Sequence, residues 1–137
     1  MFALKGRNVL RVAVVIVCLA VAATASAMLL ASSVQQRRSV ATALTNGDET
    51  RAPVALRRYG CGGCHTIPGI PGADGLVGGR LVDLRERVYI AGVVRNEPAN
   101  LVQWIVDQPS LNPRTAMPVT GISAAEARDV AAYLYAH

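Results

Sequence analysis

The sequence has 137 residues, 52% of them hydrophobic, with 14 Lys and Arg against 9 Asp and Glu, a formal net charge of +5. That length is one small domain plus an appendage. The charge does not make a nucleic-acid binder. Lys5, Arg7 and Arg11 precede a long apolar run and Arg37 and Arg38 come after it, whereas arginines and carboxylates balance from Asn46 onward. No nucleic-acid partner is therefore expected of the globular part.

Residues 1–11 form a basic segment. Val12 to Ala31, "VAVVIVCLAVAATASAMLLA", is uncharged and about as long as a membrane-spanning helix. Positive charge in front of it orients the N-terminus toward the cytoplasm and exports the remainder of the chain. Ala25 to Ala27, "ASA", also resembles a small-residue cleavage site, so residues 12–31 read either as a retained transmembrane anchor or as a removed signal peptide. Met28, Leu29 and Leu30 carry the apolar stretch past that site, which favours the anchor. Cys18 comes after the bulky Val17 and reads as a membrane cysteine rather than a lipidation site. Residues 32–50 are polar without a sustained hydrophobic period and read as a flexible tether, with a reach of roughly 25 Å.

Residues 51–137 form the domain, and three helical segments are expected in it. The first begins near Pro53, a residue suited to a first helical turn, and leads straight into Cys61. The second has Asn96 as N-cap, Pro98 in its first turn and Pro109 as its stop. Leu101, Trp104 and Ile105 give it one apolar face. The third opens on a capping box of Ser123 and Glu126 and buries Ala127, Val130, Ala131 and Leu134. Glycine- and proline-rich connections join them, and no strand is expected. After Thr50 there is one Trp, four Tyr and no Phe. An inventory this poor calls for a staple or a cofactor to complete the core.

Of the three cysteines and two histidines in the chain, three residues stand together in "CGGCH", Cys61 to His65. A thioredoxin-like dithiol needs a βαβ context, which "TIPGIPGADG" does not supply. A structural zinc needs four protein ligands, and beyond these three only Cys18 and His137 remain. C-x-x-C-H is also the signature of covalent c-type haem attachment. Cys61 and Cys64 would each add to a vinyl group, and the His65 imidazole would bind the iron. Downstream, "RTAMPVTG" places Met117 in a loop before the last helix, held by Pro113 and Pro118. It is the only methionine of the globular part and the candidate for the sixth iron position. His137, at a helix end, is its only rival.

Helix into CxxCH, Gly/Pro loop, middle helix with Trp, "TAMP" loop and C-terminal helix together resemble a mono-haem class I cytochrome c. The resemblance runs from about Gly47 to the end. "YGCGGCHTIPGIPGADGLVG", "RVYIAGV" and "TAMPVTGIS" are closer still to a bacterial subgroup associated with haem–copper terminal oxidases. It implies an all-α fold of three to four helices around one covalent haem c, behind a single transmembrane helix. It implies single-electron transfer rather than catalysis, on the periplasmic side of the inner membrane. A quinol-oxidising complex and a haem–copper oxidase would be the redox partners. The alternatives are an electron-transfer subunit of a periplasmic dehydrogenase, or a haem sensor or peroxidase-like protein if Met117 is not on the iron. By the same resemblance Cys61, Cys64, His65 and Met117 take the haem roles, and Arg87, Tyr89 and Trp104 lie near the propionates. The sequence departs from the family at Gly79, which stands where the family has a proline whose carbonyl accepts the proximal imidazole N–H. A glycine keeps the carbonyl but frees φ. Asp83 and Arg85 also stand where small residues are usual.

Overall fold

The computed structural model describes residues 2–137, with side chains from residue 8 onward. The chain is mostly helical and divides into two compact units, Met1–Gln35 and Gln36–His137. Helix α1, Phe2–Thr45, begins in the first. It is long and apolar enough to cross a membrane, and none of its most apolar stretch is buried within the protein. Its hydroxyls are satisfied internally: Thr24 donates to the Val21 carbonyl and Ser26 to that of Ala22, at 2.9 and 2.8 Å. Polar side chains are tolerated in hydrocarbon on that condition. Of the three cations that precede the apolar run, Lys5 and Arg7 lie outside the described side chains.

The expected tether is corrected over most of its length, because α1 continues through Thr45. Ala41 and Thr45 are buried in the second unit, and the Thr45 hydroxyl bonds back to the Ala41 carbonyl at 2.8 Å. Tertiary burial outweighs the weak helix propensity of this Ser/Thr-rich stretch. Arg38 pairs with the buried Glu49 at 3.1 Å. The chain then crosses α5 (Ala124–Ala136) at Gly47, whose Cα lies so close to the Arg128 carbonyl that a Cβ would overlap it.

A charged clamp fixes this crossing. Asp129, 8% exposed at its side chain, accepts from Arg51 Nε and Nη2 at 2.9 Å each and from the Asp48 amide at 2.7 Å. The Arg51 hydrogen bond holds the Asp129 carboxyl below its usual range against the opposing effect of burial. A depressed carboxyl contributes stability above its unfolded pKa and loses it as pH falls through the folded value. Asp129→Asn is expected to cost about 1–2 kcal/mol near neutral pH, the low end for a buried partner because Arg51 is solvent-screened. Denaturant melts should show the difference closing below about pH 4.

Helix α2, Ala52–Arg58, carries Pro53 in its first turn and buries Ala52, Ala55 and Leu56. Helix α3, Pro98–Val106, buries Leu101, Trp104 and Ile105, the face expected from their spacing. Glu97 rather than Asn96 is its N-cap. Asn96 Nδ2 instead donates to the Leu84 and Arg87 carbonyls at 2.7 and 2.8 Å, and its Oδ1 accepts from the Tyr135 hydroxyl at 2.8 Å. α3 stops at Val106, just before Pro109 as expected, and Pro109 sits in the first turn of a separate short α4, Gln108–Leu111. The capping box of Ser123 and Glu126 opens α5 as expected. α5 packs against both α2 and α3. Beyond its expected stripe it also buries Asp129, Ala132, Tyr133 and Tyr135.

The expectation of no strand is corrected by a small antiparallel ribbon, β1 (Tyr89–Ile90) with β2 (Val94–Arg95). Its tight turn closes through a 2.9 Å bond from the Val93 amide to the Ile90 carbonyl, with Ala91 at φ 50°. Two residues per strand are too few for an alternating pattern to register in the sequence.

Candidate functional site

The site starts where α2 stops. Gly60, at φ +67°, takes the left-handed conformation that ends a helix, and Cys61–Gly63 turn through one 3-10 step. The His65 amide closes this turn on the Cys61 carbonyl at 3.0 Å. The Gly/Pro loop is stitched back onto it: the Gly75 amide reaches the Gly62 carbonyl at 3.1 Å, Gly78 that of Cys64 at 2.7 Å, and Leu81 that of Thr66 at 2.9 Å. From α5, the Tyr133 hydroxyl anchors the Pro68 carbonyl at 2.6 Å.

These bonds fix the imidazole. His65 Nδ1 lies 2.6 Å from the Gly79 carbonyl oxygen. A carbonyl only accepts, so Nδ1 carries the proton and Nε2 keeps a free lone pair. The ring also packs closely on Gly78, where a Cβ would come within 2.6 Å of Nδ1. The sequence draws attention to Gly79, but its neighbour is the glycine the imidazole requires. The adjacent "GG" is the only signal, and it does not say which of the two is in contact.

His65 faces an apolar cleft of about 1010 Å³, counted out to its open mouth. Leu56 of α2, Leu101, Trp104 and Ile105 of α3, and Val130 and Leu134 of α5 build its walls, and Met117 also lines it. The Met117 amide bonds to Thr115 Oγ1 at 3.2 Å, and its side chain packs on the core. A neighbouring opening of about 580 Å³ shares Cys61, His65 and Met117 and adds Cys64 and Tyr59 to its lining. The structure therefore brings Cys61, Cys64, His65 and Met117 to one place.

Gly79, Arg87 and Trp104 also line the cleft. Among the described residues no hydrogen bond engages the Trp104 indole N–H. Arg87 Nη2 donates to the Arg80 and Val82 carbonyls, the latter at 3.1 Å. Tyr89 is not brought to the cleft lining. The alternation of β1 buries Ile90 and leaves Tyr89 51% exposed. Asp83 takes φ 50° ahead of a 3-10 turn at Leu84–Glu86. His137 lies apart from the cleft, stacked on Tyr133 at 4.1 Å.

Nothing in the sequence marks Tyr59. Its hydroxyl donates to Glu126 at 2.9 Å and ties the approach to Cys61 to the cap of α5. Hydrogen bonds, from Ser123 first and Tyr59 next, hold the Glu126 carboxyl below its usual range.

Both cysteines are free thiols, and burial pushes the Cys61 thiol up. An attacking dithiol needs the reverse, a depressed pKa. Among the described residues no three His, Cys, Asp or Glu side chains converge as a metal cage. The arrangement offers two thiols, one oriented imidazole nitrogen and one thioether around apolar walls. That donor set fits a large planar apolar group that carries its own metal and accepts two thioether links. Set against protein-family models, curated proteins and solved structures, the chain matches none.

Proposed function

We propose that the chain is a membrane-anchored mono-haem c-type cytochrome that passes single electrons along a bacterial respiratory chain. The observation that carries this reading is the orientation of His65. Its Nε2 lone pair is kept free by the Nδ1–Gly79 bond, on a wall that also holds Cys61 and Met117. Cys61 and Cys64 would hold the haem covalently, and His65 and Met117 would ligate the iron. Bound there, the haem supplies a one-electron couple whose potential is raised by His/Met ligation. The protein residues do the rest. Gly79 fixes the tautomer and raises the basicity of His65. Leu101, Trp104 and Ile105 keep water from the apolar face. The free Trp104 N–H and the Arg87 guanidinium offer positive or donating groups to haem carboxylates. The redox partners proposed are a quinol-oxidising complex as donor and a haem–copper oxidase as acceptor, on the periplasmic face of the inner membrane.

Covalent attachment is the direct test. Full-length chain expressed with a haem-attachment system is expected to keep its haem stain through boiling in detergent and electrophoresis. Cys61→Ala or Cys64→Ala should leave at most one thioether link. Complete loss of stain from the wild type removes the reading.

A further inference from the structure

We propose that Arg87 is a positioning residue for His65: its guanidinium braces the backbone of residues 79–82 and so holds the Gly79 carbonyl on the imidazole. The inference deepens the reading of His65 as an iron ligand and rests on it.

The need for a brace comes from the sequence. Gly78 and Gly79 are consecutive, and neither restrains its own φ as a proline would. A carbonyl on such a segment can swing away from Nδ1 unless something downstream holds it. Three contacts do. The Leu81 amide is tied to the Thr66 carbonyl at 2.9 Å, directly after His65. On either side of Leu81, the carbonyls of Arg80 and Val82 are both gathered by one nitrogen, Arg87 Nη2. Two carbonyls and one amide thus fix the strand of chain leaving Gly79, and the guanidinium supplies two of the three bonds.

Arg87 is itself held from behind. Its amide bonds to the Leu84 carbonyl at 3.1 Å. Its carbonyl accepts from Asn96 Nδ2 at 2.8 Å, and Asn96 accepts in turn from Tyr135 at 2.8 Å. Burial pushes Tyr135 up to about 12, so its hydroxyl is a permanent donor at physiological pH. The path therefore runs unbroken from α5 through Asn96 and Arg87 to the loop that carries Gly79. A lysine would keep the charge, but its ammonium is a point charge on a flexible stem and does not reproduce the rigid plane in which the two Nη2 protons of the guanidinium fork point.

This role separates by sign from a purely electrostatic one. Weakening the Nδ1–H bond makes His65 a poorer donor to the iron, which raises the reduction potential. Removing a nearby positive charge lowers it. Arg87→Lys keeps the charge and loses the fork. In the haem-loaded full chain it is expected to raise the potential and to speed hydrogen exchange of the His65 Nδ1 proton about tenfold, as for loss of a charged hydrogen bond. Arg87→Gln, which keeps a planar donor, serves as the second variant and should speed exchange less than Arg87→Ala. Gly79→Pro in the Arg87→Lys background should restore slow exchange, because it returns the φ restraint at a position where a Cβ meets nothing within 4 Å. Exchange unchanged in all three Arg87 variants, or no recovery with Gly79→Pro in a folded protein, overturns the brace. If the wild type carries no covalent haem, the cytochrome reading fails separately. The brace is then read from the 15N shifts of His65, where Arg87→Lys should turn a single Nδ1–H tautomer into a mixture. An unchanged tautomer overturns it there too.

Discussion

In the cytochrome proposed above, Met117→Ala is expected to leave the haem attached, abolish the weak long-wavelength sulfur-to-iron band of the oxidised protein, lower its potential and admit carbon monoxide when reduced. Three features make the effect large. No second methionine exists in the globular part, so no other thioether is at hand. Met117 sits between Pro113 and Pro118 in a loop whose unfolded freedom is already reduced, with its amide held by Thr115. The cleft it lines is otherwise apolar on that side, and alanine brings no replacement donor. Optical spectra and carbon monoxide titration of the reduced protein check the prediction. A wild type that already lacks the band and binds carbon monoxide readily removes the carrier reading and leaves a sensor or peroxidase-like one.

Gly78→Ala is the second change expected to act strongly, and its neighbour is the control. A Cβ at residue 78 would come within 2.6 Å of His65 Nδ1 and 2.9 Å of Nε2, whereas one at residue 79 meets nothing within 4 Å. The imidazole cannot retreat without giving up the Gly79 carbonyl. The cost should reach about 1–3 kcal/mol, the usual range for overpacking, or more. Gly79→Ala, with open space around it, should stay within about 0.5 kcal/mol. Denaturant melts of the two variants, with His65 imidazole shifts beside them, decide the matter. Equal effects at both positions would mean that the ring packs elsewhere.

The features legible in the sequence are local. Pro53, the face of Leu101, Trp104 and Ile105, and the pairing of Ser123 with Glu126 each declare themselves within one helical turn, and the structure places them so. The CGGCH pattern likewise marks a site by itself, and its three side chains lie with Met117 around the cleft and its neighbouring opening. The hidden features depend on partners far along the chain. The helix through Thr45 exists because Ala41 and Thr45 find burial in the second unit. Nothing in the sequence marks Asp129, whose partner Arg51 lies 78 positions earlier. Asn96 reads as a cap because Asn favours caps, and the Tyr135 hydroxyl that redirects it lies 39 residues away. The resemblance implies a place for Tyr89 near the propionates, and the two-residue strand that leaves it exposed gives no periodic signal.

On the proposed reading, the cleft would also govern how long the protein lasts in a cell. Leu56, Leu101, Trp104, Ile105, Val130 and Leu134 belong at once to the core and to the cleft wall, so the same side chains cannot consolidate one without the other. The residues that α2, α3 and α5 contribute to that core also line the open cleft, so local opening there is expected to cost less than in a closed core. Proteases act on such openings in proportion to their population. On the proposed cytochrome reading, haem attachment would work as a licence to persist: loaded chains would escape turnover, and the steady-state amount of protein would track the capacity for attachment rather than the rate of synthesis.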